Sequence, residues 1–324
     1  GYHASEMATP LYMMSYISYR VEGDFYPKGT AGYYSEQLAK HFETNGGVIL
    51  YNTEVNGLEV EKKKVKAVKA LHKGNVELFQ SKVVISDVDL THLFTNICPK
   101  GSIPTKLVQK IQQRKPTFSS IMVFLGLNID LKERGITDFE IWRKGKSKFD
   151  KAAFDRTIYH VDETQDLSNL PIEMVSIYSN VDPSCAPPAK SVVSMIYLAK
   201  LEPFLKYLDE GNKRGERYKE FKKKLGDQMI QSISEILEIP NLKEYIEVYE
   251  IATPVTYARY TGNREGSHLG WNLGSLTMLS NKIPIKNLFL CGQWVMPGGG
   301  VSAVTMGGDL VAKFVEQYLK SNSK

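Results

Sequence analysis

The chain ends in an apolar strand, a glycine-rich turn and a helix, and this ending constrains its fold more than any other feature. The pattern predicts a strand at Asn287–Leu290, a turn at Gly298-Gly299-Gly300 and a helix at Ser302–Leu319. Glycines let a ligand approach the main chain closely, and the first N–H groups of a helix attract an electron-rich group. The turn is a candidate site for a phosphate or a ring carbonyl. A plain connection between strand and helix is the alternative that the residues leave open.

The same turn matches the Gly-x-Gly-x-x-Ala form of the dinucleotide-binding fingerprint, from Gly298 to Ala303. That fingerprint opens a unit in which a helix, a second parallel strand and an acidic residue about twenty positions on must follow. Only 21 residues follow Ala303, and their pattern is that of a helix and a tail. We therefore expect the turn to close a Rossmann-like unit and not to open one.

The pattern of strands and helices changes twice along the chain. A helix and several β runs fill the first part, a mixed sheet with long polar loops begins near Pro104, and the strand-turn-helix pattern returns after Gly262. A long helix at about 215–238 is predicted to bury one apolar face in the middle region. These shifts predict an α/β fold with α+β elements, in which 1–92 and 259–324 form one discontinuous domain and 93–258 an inserted lobe.

Composition excludes several classes of function. With 324 residues, a net charge of +5 and 24% charged residues, the chain has an ordinary globular make-up. Its lysine runs are too short for a dedicated nucleic-acid binder, and no apolar run reaches the roughly 20 residues of a membrane span. The three cysteines and six histidines are scattered, so no metal site is expected. The start of the chain has no signal-peptide pattern, which predicts a cytoplasmic protein.

Three stretches together resemble the phytoene desaturase, carotenoid isomerase and retinol saturase family of FAD-dependent oxidoreductases. The resemblance runs in order along nearly the whole chain. The first stretch is the final strand with Gly-Gln and a Pro-Gly-rich loop (287–303). The second is the Tyr-Pro-Lys-Gly loop with the helix and the Asn-Thr-Glu-Val sequence that follow it (26–55). The third is the loop from Thr253 to Gly266. It implies part of an FAD-binding Rossmann-like domain with an inserted mixed-sheet substrate domain, in an amine-oxidase-like architecture.

The resemblance also implies a cofactor, a reaction and a site. The cofactor is FAD, with NAD(P)H as a candidate reductant, and the reaction moves a hydride between flavin N5 and a carbon of a hydrophobic polyene. Saturation, desaturation and isomerisation share that step. Val55 would offer main-chain groups to the adenine, although an ordinary strand valine is the alternative. Arg264 and Glu265 are weak catalytic candidates, with a surface ion pair as the alternative. The other expected cofactor-binding residues are Gly292, Gln293, Gly299, Gly300, Val301, Ser302 and Ala303.

Some features depart from that family's pattern. The N-terminal strand and GxGxxG turn that hold the FAD pyrophosphate are absent, so the chain resembles the C-terminal two-thirds of such an enzyme, and we expect it to bind FAD weakly and to be inactive by itself. Gln293 stands where many relatives have an acidic residue, which favours the saturase-like branch. Thr30 replaces a glycine.

Two other functions stay open at this point. A flavin amine oxidase would need an aromatic cage, to which Trp271 and Tyr260 could contribute, and the chain could instead be a cofactor-free fragment or binding module. Lys219–Lys224 could rest on anionic lipid as a peripheral membrane contact, with a solvated helix face as the alternative. Five aromatic residues of the middle region suit either a substrate tunnel or a core: Phe118, Phe124, Tyr159, Tyr178 and Tyr197.

Overall fold

The structure is a computed structural model that describes residues 7–21, 23, 25–144, 151–164, 167, 172–272, 274 and 279–322. The chain divides into two compact units. The first, which we call the sheet unit, is built mainly from Tyr12–Val48 and Phe118–Tyr260. The second, which we call the turn unit, is built mainly from Ile49–Thr117 and Thr261–Lys324. Each unit is described by itself.

The sheet unit contains an antiparallel sheet of five strands, in the order β6-β7-β8-β5-β9. The strands are β5 (Ser119–Leu127), β6 (Glu140–Lys144), β7 (Ile172–Ile177), β8 (Ser191–Ala199) and β9 (Ile246–Ala252). Its helices are α1 (Thr9–Val21), α2 (Thr30–Thr44), α5 (Lys151–Tyr159), α6 (Val161–Thr164), α7 (Tyr178–Val181), α8 (Glu202–Leu205), α9 (Glu216–Ile236) and α10 (Pro254–Thr261).

One face of this sheet forms the core of the unit. Residues alternate between the two faces of a strand, and the odd-numbered residues of β5 and β8, such as Val123 and Met195, are completely buried. Helix α9 packs against them through Tyr218, Phe221, Leu225, Ile230 and Ile233. The predicted long helix and its inward face are therefore present.

The exposed face of α9 carries lysines that pair with carboxylates of the same helix. Lys219 lies 2.6 Å from Glu216, and Lys223 lies 2.7 Å from Asp227. These pairs fit the interpretation as a solvated helix face. None of the helices in the described part of the chain has the length and apolar character that crossing a membrane requires.

The turn unit holds a three-stranded meander and a parallel strand pair. The meander consists of β1 (Thr53–Glu61), β2 (Lys64–His72) and β3 (Asn75–Phe79), and the pair of β4 (Val84–Ser86) and β10 (Leu288–Leu290). Helices α3 (Leu90–His92), α4 (Thr105–Gln113) and α11 (Val301–Asn322) complete the unit. Because β4 pairs with β10, a strand before the segment Phe118–Tyr260 and a strand after it share a sheet.

The unit boundaries differ from the expected ones at 92 and 258. Residues 93–117 were expected in the inserted lobe, but the N–H of Thr117 donates to the carbonyl of Gly270 at 2.8 Å and holds this segment in the turn unit. Residues 12–48 were expected with the C-terminal turn, but the N–H of Gly29 donates to Asp182 of the sheet unit at 2.5 Å. Neither contact is visible as a local sequence pattern.

Two short apolar runs, at 48–51 and 83–85, are typical of strands, the second of a strand buried on both faces, and the structure differs from both predictions. Residues 48–51 form no strand, because the chain turns there and β1 begins at Thr53. The run around β4 was expected to be buried on both sides, yet Ile85 is 51% exposed. Among the described residues β4 has a single strand neighbour, β10, so its side chains have little to pack against.

A partly buried ion pair ties three strands together on the core face of the sheet unit. Arg143 of β6 donates through Nε to Oε2 of Glu173 on β7 at 2.7 Å, and the side chain of Glu173 is only 7% exposed. The hydroxyl of Tyr197 on β8 donates to the other carboxylate oxygen at 3.2 Å. The bond to Glu173 raises the pKa of Arg143, and burial raises the pKa of Tyr197, so both side chains stay protonated.

We predict that Glu173→Gln lowers the free energy of unfolding by about 2 kcal/mol, because it removes the shorter of the two ion pairs of a half-buried guanidinium and leaves only the 3.5 Å contact with Glu235. Urea denaturation would measure the change. The control is Glu216→Gln, which removes an exposed pair on α9 and should leave stability essentially unchanged. Equal effects of the two substitutions would contradict the prediction.

Candidate functional site

The carboxyl ends of β4 and β10 meet at one edge of the turn unit. Leu290 pairs with Ser86, and the N–H of Cys291 donates to the carbonyl of Ser86 at 2.9 Å. Gly292 then has a φ of +81°, and a Cβ added there would lie 3.2 Å from the Cβ of Asp87. The chain after β10 therefore passes tightly against the chain after β4, which favours glycine at this position.

The turn into α11 leaves main chain accessible at its end. Gly298 and Gly300 have φ values of +115° and +107°, and a Cβ on Gly300 would meet nothing within 4 Å. Val301 begins the helix, whose first turn holds no acidic residue. The N–H groups of Val301, Ser302 and Ala303 precede the first position that can bond back to the helix. This end of α11 suits an electron-rich planar group.

Gly299 differs from its neighbours because it touches another part of the main chain. A Cβ on Gly299 would lie 2.5 Å from the Cα of Leu269, and one on Gly270 would lie 2.3 Å from the carbonyl oxygen of Gln293. Real Cβ atoms do not approach other atoms so closely. These glycines allow the 267–271 loop and the 292–300 turn to pack backbone against backbone. The expected role of Gly299 in cofactor binding remains a prediction.

Hydrogen bonds fix the loop that packs against the turn. One carboxylate oxygen of Asp89 accepts from the N–H groups of Thr91 and His92 at 2.9 and 3.1 Å, and the other accepts from the N–H of Arg264 at 3.2 Å. The side-chain amide of Gln293 donates to the carbonyl of Ser267 at 3.2 Å. Gln293 therefore holds the 267–271 loop through its side-chain nitrogen. Asp89 is 5% exposed, and no local pattern in the sequence marks its role.

The two candidate catalytic residues lie in this loop. Arg264 donates through Nη1 to the carbonyls of Arg114 and Gln112, at 3.1 and 3.4 Å, and its Nε lies 3.9 Å from Oε1 of Glu265. The guanidinium therefore binds the carbonyl end of α4, where a cation is stabilising. These contacts favour a positioning role for Arg264, and a catalytic role for either residue remains a prediction.

The aromatic pair in this region is core. Trp271 is 4% exposed, and its ring packs edge-on against that of Trp294 with centroids 4.7 Å apart. Its indole N–H donates to the carbonyl of Trp294 at 2.9 Å. Tyr260 is 78% exposed. The structure thus gives no support to an aromatic cage built from Trp271 and Tyr260.

Val55 lies on an accessible strand edge. Strand β1 is at the border of the meander, and Val55 is 38% exposed opposite Ala70. The residues just before it line a cavity of about 540 Å³, together with the end of β2 and the following turn. This placement is compatible with the expected contact to an adenine ring, which remains a prediction.

Cys291 is not a nucleophile at neutral pH. Burial, with a smaller effect from the Asp87 carboxylate, raises the pKa of its thiol to about 11, so the thiol stays protonated. Within the described ranges no group of His, Cys, Asp and Glu side chains is arranged to hold a metal ion.

The second face of the five-stranded sheet is apolar and only partly covered. Residues 122, 124, 174, 196 and 198 point to it and are half-buried or exposed. In strand register, five apolar side chains form one row across the sheet, which we call the apolar row: Trp142, Met174, Ile196, Met122 and Ala252. The alternation of apolar residues within a strand is visible in the sequence. The row across the strands is not, because strand register is set by long-range pairing.

Tyrosine hydroxyls lie on both sides of the apolar row. Tyr257 of α10 donates to Sδ of Met122 at 3.6 Å and bonds to Ser120, and burial raises its pKa. On the other side, Tyr178 accepts from Oγ of Ser194 at 3.3 Å. Of the five aromatics that suited a tunnel or a core, Tyr178 thus borders the open face and Phe124 is on it. Tyr197 and Phe118 are buried, and Tyr159 is exposed.

The Tyr-Pro-Lys-Gly loop is anchored beside Tyr178. The ring of Tyr26 lies 5.3 Å from that of Tyr178 and 5.8 Å from that of Phe139. The carboxylate of Asp182 accepts from the N–H of Gly29 and from the N–H and hydroxyl of Ser184. These bonds lower the pKa of Asp182, and the bond from Gly29 has the largest effect. The carboxylate therefore remains charged at neutral pH, and the loop stays attached.

The sequence is similar to curated carotenoid and retinoid proteins along most of its length. It is 25% identical over 301 residues to all-trans-retinol 13,14-reductase of Danio rerio, which covers 89% of the chain and 49% of that protein. It is 27% identical to the chloroplastic prolycopene isomerase of Daucus carota and 26% identical to phytoene desaturase of Neurospora crassa, over 92% and 98% of the chain and 45% and 52% of those proteins. The chain thus spans about half the length of these relatives. No protein-family model matches it.

Solved structures share the fold. An oxidoreductase from Methanosarcina mazei has a TM-score of 0.55 at 15% identity, covering 89% of the chain and 55% of that protein. A putrescine oxidase variant has a TM-score of 0.56 at 12% identity, covering 89% of the chain and 53% of that protein. The expected α/β fold with an amine-oxidase-like architecture is confirmed, and likeness at this identity concerns the fold alone.

We predict that Gly299→Ala lowers the free energy of unfolding by about 3 kcal/mol, because the added methyl overlaps the backbone of Leu269. Gly300→Ala is the matched control. It carries only the strain of a positive φ, about 1 kcal/mol, because its Cβ enters open space. Urea denaturation of both variants would measure the difference, and a Gly299→Ala variant as stable as the control would contradict the backbone contact.

Proposed function

We propose that this chain belongs to the phytoene desaturase, carotenoid isomerase and retinol saturase family. In this proposal it supplies the flavin-side turn and the substrate-binding sheet of an FAD-dependent oxidoreductase that acts on a hydrophobic polyene. The observation that carries the proposal is the apolar row on the open face of the sheet unit. The named relatives reduce a retinol, isomerise prolycopene or desaturate phytoene.

The apolar row has the dimensions and chemistry of a site for a long apolar chain. It crosses five strands, and a strand spacing of about 4.8 Å gives it a length of about 19 Å. Its members contribute aliphatic, thioether and aromatic surface and no charge. A polyene that lies on this row exchanges water for apolar contact, which contributes about 25 cal/mol per Å² buried. Binding across the strands would hold the chain extended.

The end of α11 fits the flavin part of FAD. The main chain at Gly300 is accessible, and the N–H groups of Val301, Ser302 and Ala303 suit a ring carbonyl that gains negative charge. Gly292 lets the strand end approach closely, and Val55 has an accessible edge for the adenine. When bound, FAD supplies the hydride acceptor or donor.

The direction of the reaction is a finer part of the proposal. Desaturation and saturation are opposite two-electron steps, and isomerisation needs no net electrons. A saturation draws its hydride from an external reductant, for which we propose NAD(P)H. Similarity to the retinol reductase and the Gly292-Gln293 sequence support the reductive direction.

The amine-oxidase alternative is not favoured by the side chains. Trp271 is occupied in the core beside Trp294, and Tyr260 is exposed. The members of the apolar row carry no charge, although Glu140 and Glu250 lie in the next row of the same face. The similarity to a putrescine oxidase concerns the fold.

We predict that the chain binds all-trans-retinol and that Ile196→Asn weakens binding about tenfold. The amide removes apolar contact at the middle of the row, at a cost of about 1.5 kcal/mol. The measurement is a titration that follows tryptophan fluorescence, since Trp142 lies at one end of the row.

The matched control is Val76→Asn, which makes a similar change on β3 of the turn unit, where Val76 is 63% exposed. It should leave the affinity unchanged. If the unchanged chain failed to bind retinol, or if both variants bound it normally, the apolar row would not be the substrate site.

We predict that the chain binds FAD weakly and saturably and that Gly300→Val abolishes this binding, because the side chain would cover the accessible main chain at the start of α11. Fluorescence anisotropy of FAD over a protein concentration series would measure it. Gly46→Val is the control, since Gly46 also has a positive φ and open space at its Cβ but follows α2 in the sheet unit. Normal FAD binding by Gly300→Val would contradict the assignment.

A further inference from the structure

We propose that Tyr178 is a specificity-determining residue that selects polyenes with a hydroxyl end group over hydrocarbons. This inference rests on the proposed function, because it names the class of substrate that the apolar row receives. It is carried by the position of the Tyr178 side chain, by its hydrogen bond with Ser194 and by the aromatic rings that support it.

Polar side chains form a second row beside the apolar one. Ser176 pairs with Ser194, and Ser194 pairs with Phe124, so the two serines are neighbours on the open face next to Met174 and Ile196. Both serines are buried, at 3% and 1% exposure. The oxygen of Ser176 donates to Glu140 at 3.4 Å, and that of Ser194 donates to Tyr178 at 3.3 Å. One border of the apolar row is thus lined with hydroxyl groups.

The phenol of Tyr178 retains a donor on this border. A tyrosine hydroxyl offers one O–H and accepts through its lone pairs. Ser194 uses a lone pair of Tyr178, and among the described residues no acceptor for the O–H of Tyr178 is found within hydrogen-bond reach. Tyr178 is half-buried. Its O–H is therefore available to an oxygen at the end of a bound apolar chain.

The ring of Tyr178 is held in place on the side away from Ser194. The rings of Tyr26 and Phe139 lie 5.3 and 5.9 Å from it. The loop that carries Tyr26 is bound to the sheet unit by the hydrogen bond from Gly29 to Asp182. A donor fixed in this way loses little conformational entropy when a ligand binds.

A fixed donor beside an apolar surface discriminates between two ligands of the same shape. An alcohol satisfies the O–H of Tyr178, whereas a hydrocarbon buries it without an acceptor, which is unfavourable. We expect a difference in affinity of about tenfold in favour of the alcohol.

The experiment compares two probes that differ in one group. The first is all-trans-retinol, and the second is its hydrocarbon analogue in which a methyl group replaces the hydroxymethyl group. The unchanged chain should bind retinol about tenfold more tightly than the analogue. Tyr178→Phe keeps the ring and removes the donor, so it should bind both probes equally, with the affinity for the analogue not reduced.

Two further variants separate recognition from a structural effect. Tyr249→Phe makes the same chemical change at a residue of β9 that pairs with Leu125 on the opposite face of the sheet, and it should keep the tenfold ratio. Ser194→Ala removes the donor to Tyr178 and leaves the Tyr178 O–H, so it should keep a preference for retinol. Thermal melting confirms that each variant is folded.

Each outcome decides one of the two proposals. Equal affinity of the unchanged chain for both probes, or a ratio that survives in Tyr178→Phe, would overturn the role of Tyr178 and leave the apolar row as a substrate site. Failure of both probes to bind would contradict the proposed function, and this inference with it.

Discussion

The candidate flavin site depends on one contact, in which two stretches of main chain touch without side chains between them. Gly299 meets Leu269, and Gly270 meets the carbonyl of Gln293, at distances that leave no room for a Cβ. Because the turn is fixed from behind in this way, the Gly300 side of the turn stays open and α11 begins at a defined place. The glycines of this turn therefore have two different purposes, close packing at Gly299 and access at Gly300.

The sheet unit follows from alternation along its strands. Odd-numbered residues of β5, β7 and β8 pack against α9, and the ion pair of Arg143 with Glu173 lies among them. Even-numbered residues are also largely apolar, although among the described residues no helix of the size of α9 covers them. A sheet with two apolar faces and one large covering helix has a surface left for another partner, and a hydrophobic ligand is the partner that we propose.

Much of the fold was predictable from local patterns, because amphipathic periodicity is a local property. Helix α9 and the closing strand and helix agree with their sequence signals within a few residues. Strands β6 and β9 were missed, since Glu140–Lys144 and Ile246–Ala252 mix charged and apolar residues. The unit boundary at residue 117 could not be predicted from the sequence, because it depends on hydrogen bonds between residues far apart in the chain, such as Thr117 and Gly270. Of the candidate site, the glycine turn was visible in the sequence, whereas the apolar row depends on strand register.

The ionisable side chains around the proposed sites favour a role in positioning over acid–base chemistry. Burial raises the pKa values of Cys291 and Tyr257, and burial lowers the pKa of His268, so at neutral pH all three are uncharged. Arg264 is committed to carbonyl groups of α4. Groups held in this way can orient a ligand, exclude water and donate a hydrogen bond, but none is tuned to exchange a proton near neutral pH. A redox reaction at an unactivated carbon then draws its chemistry from a cofactor, which is the division of roles expected for a flavin enzyme.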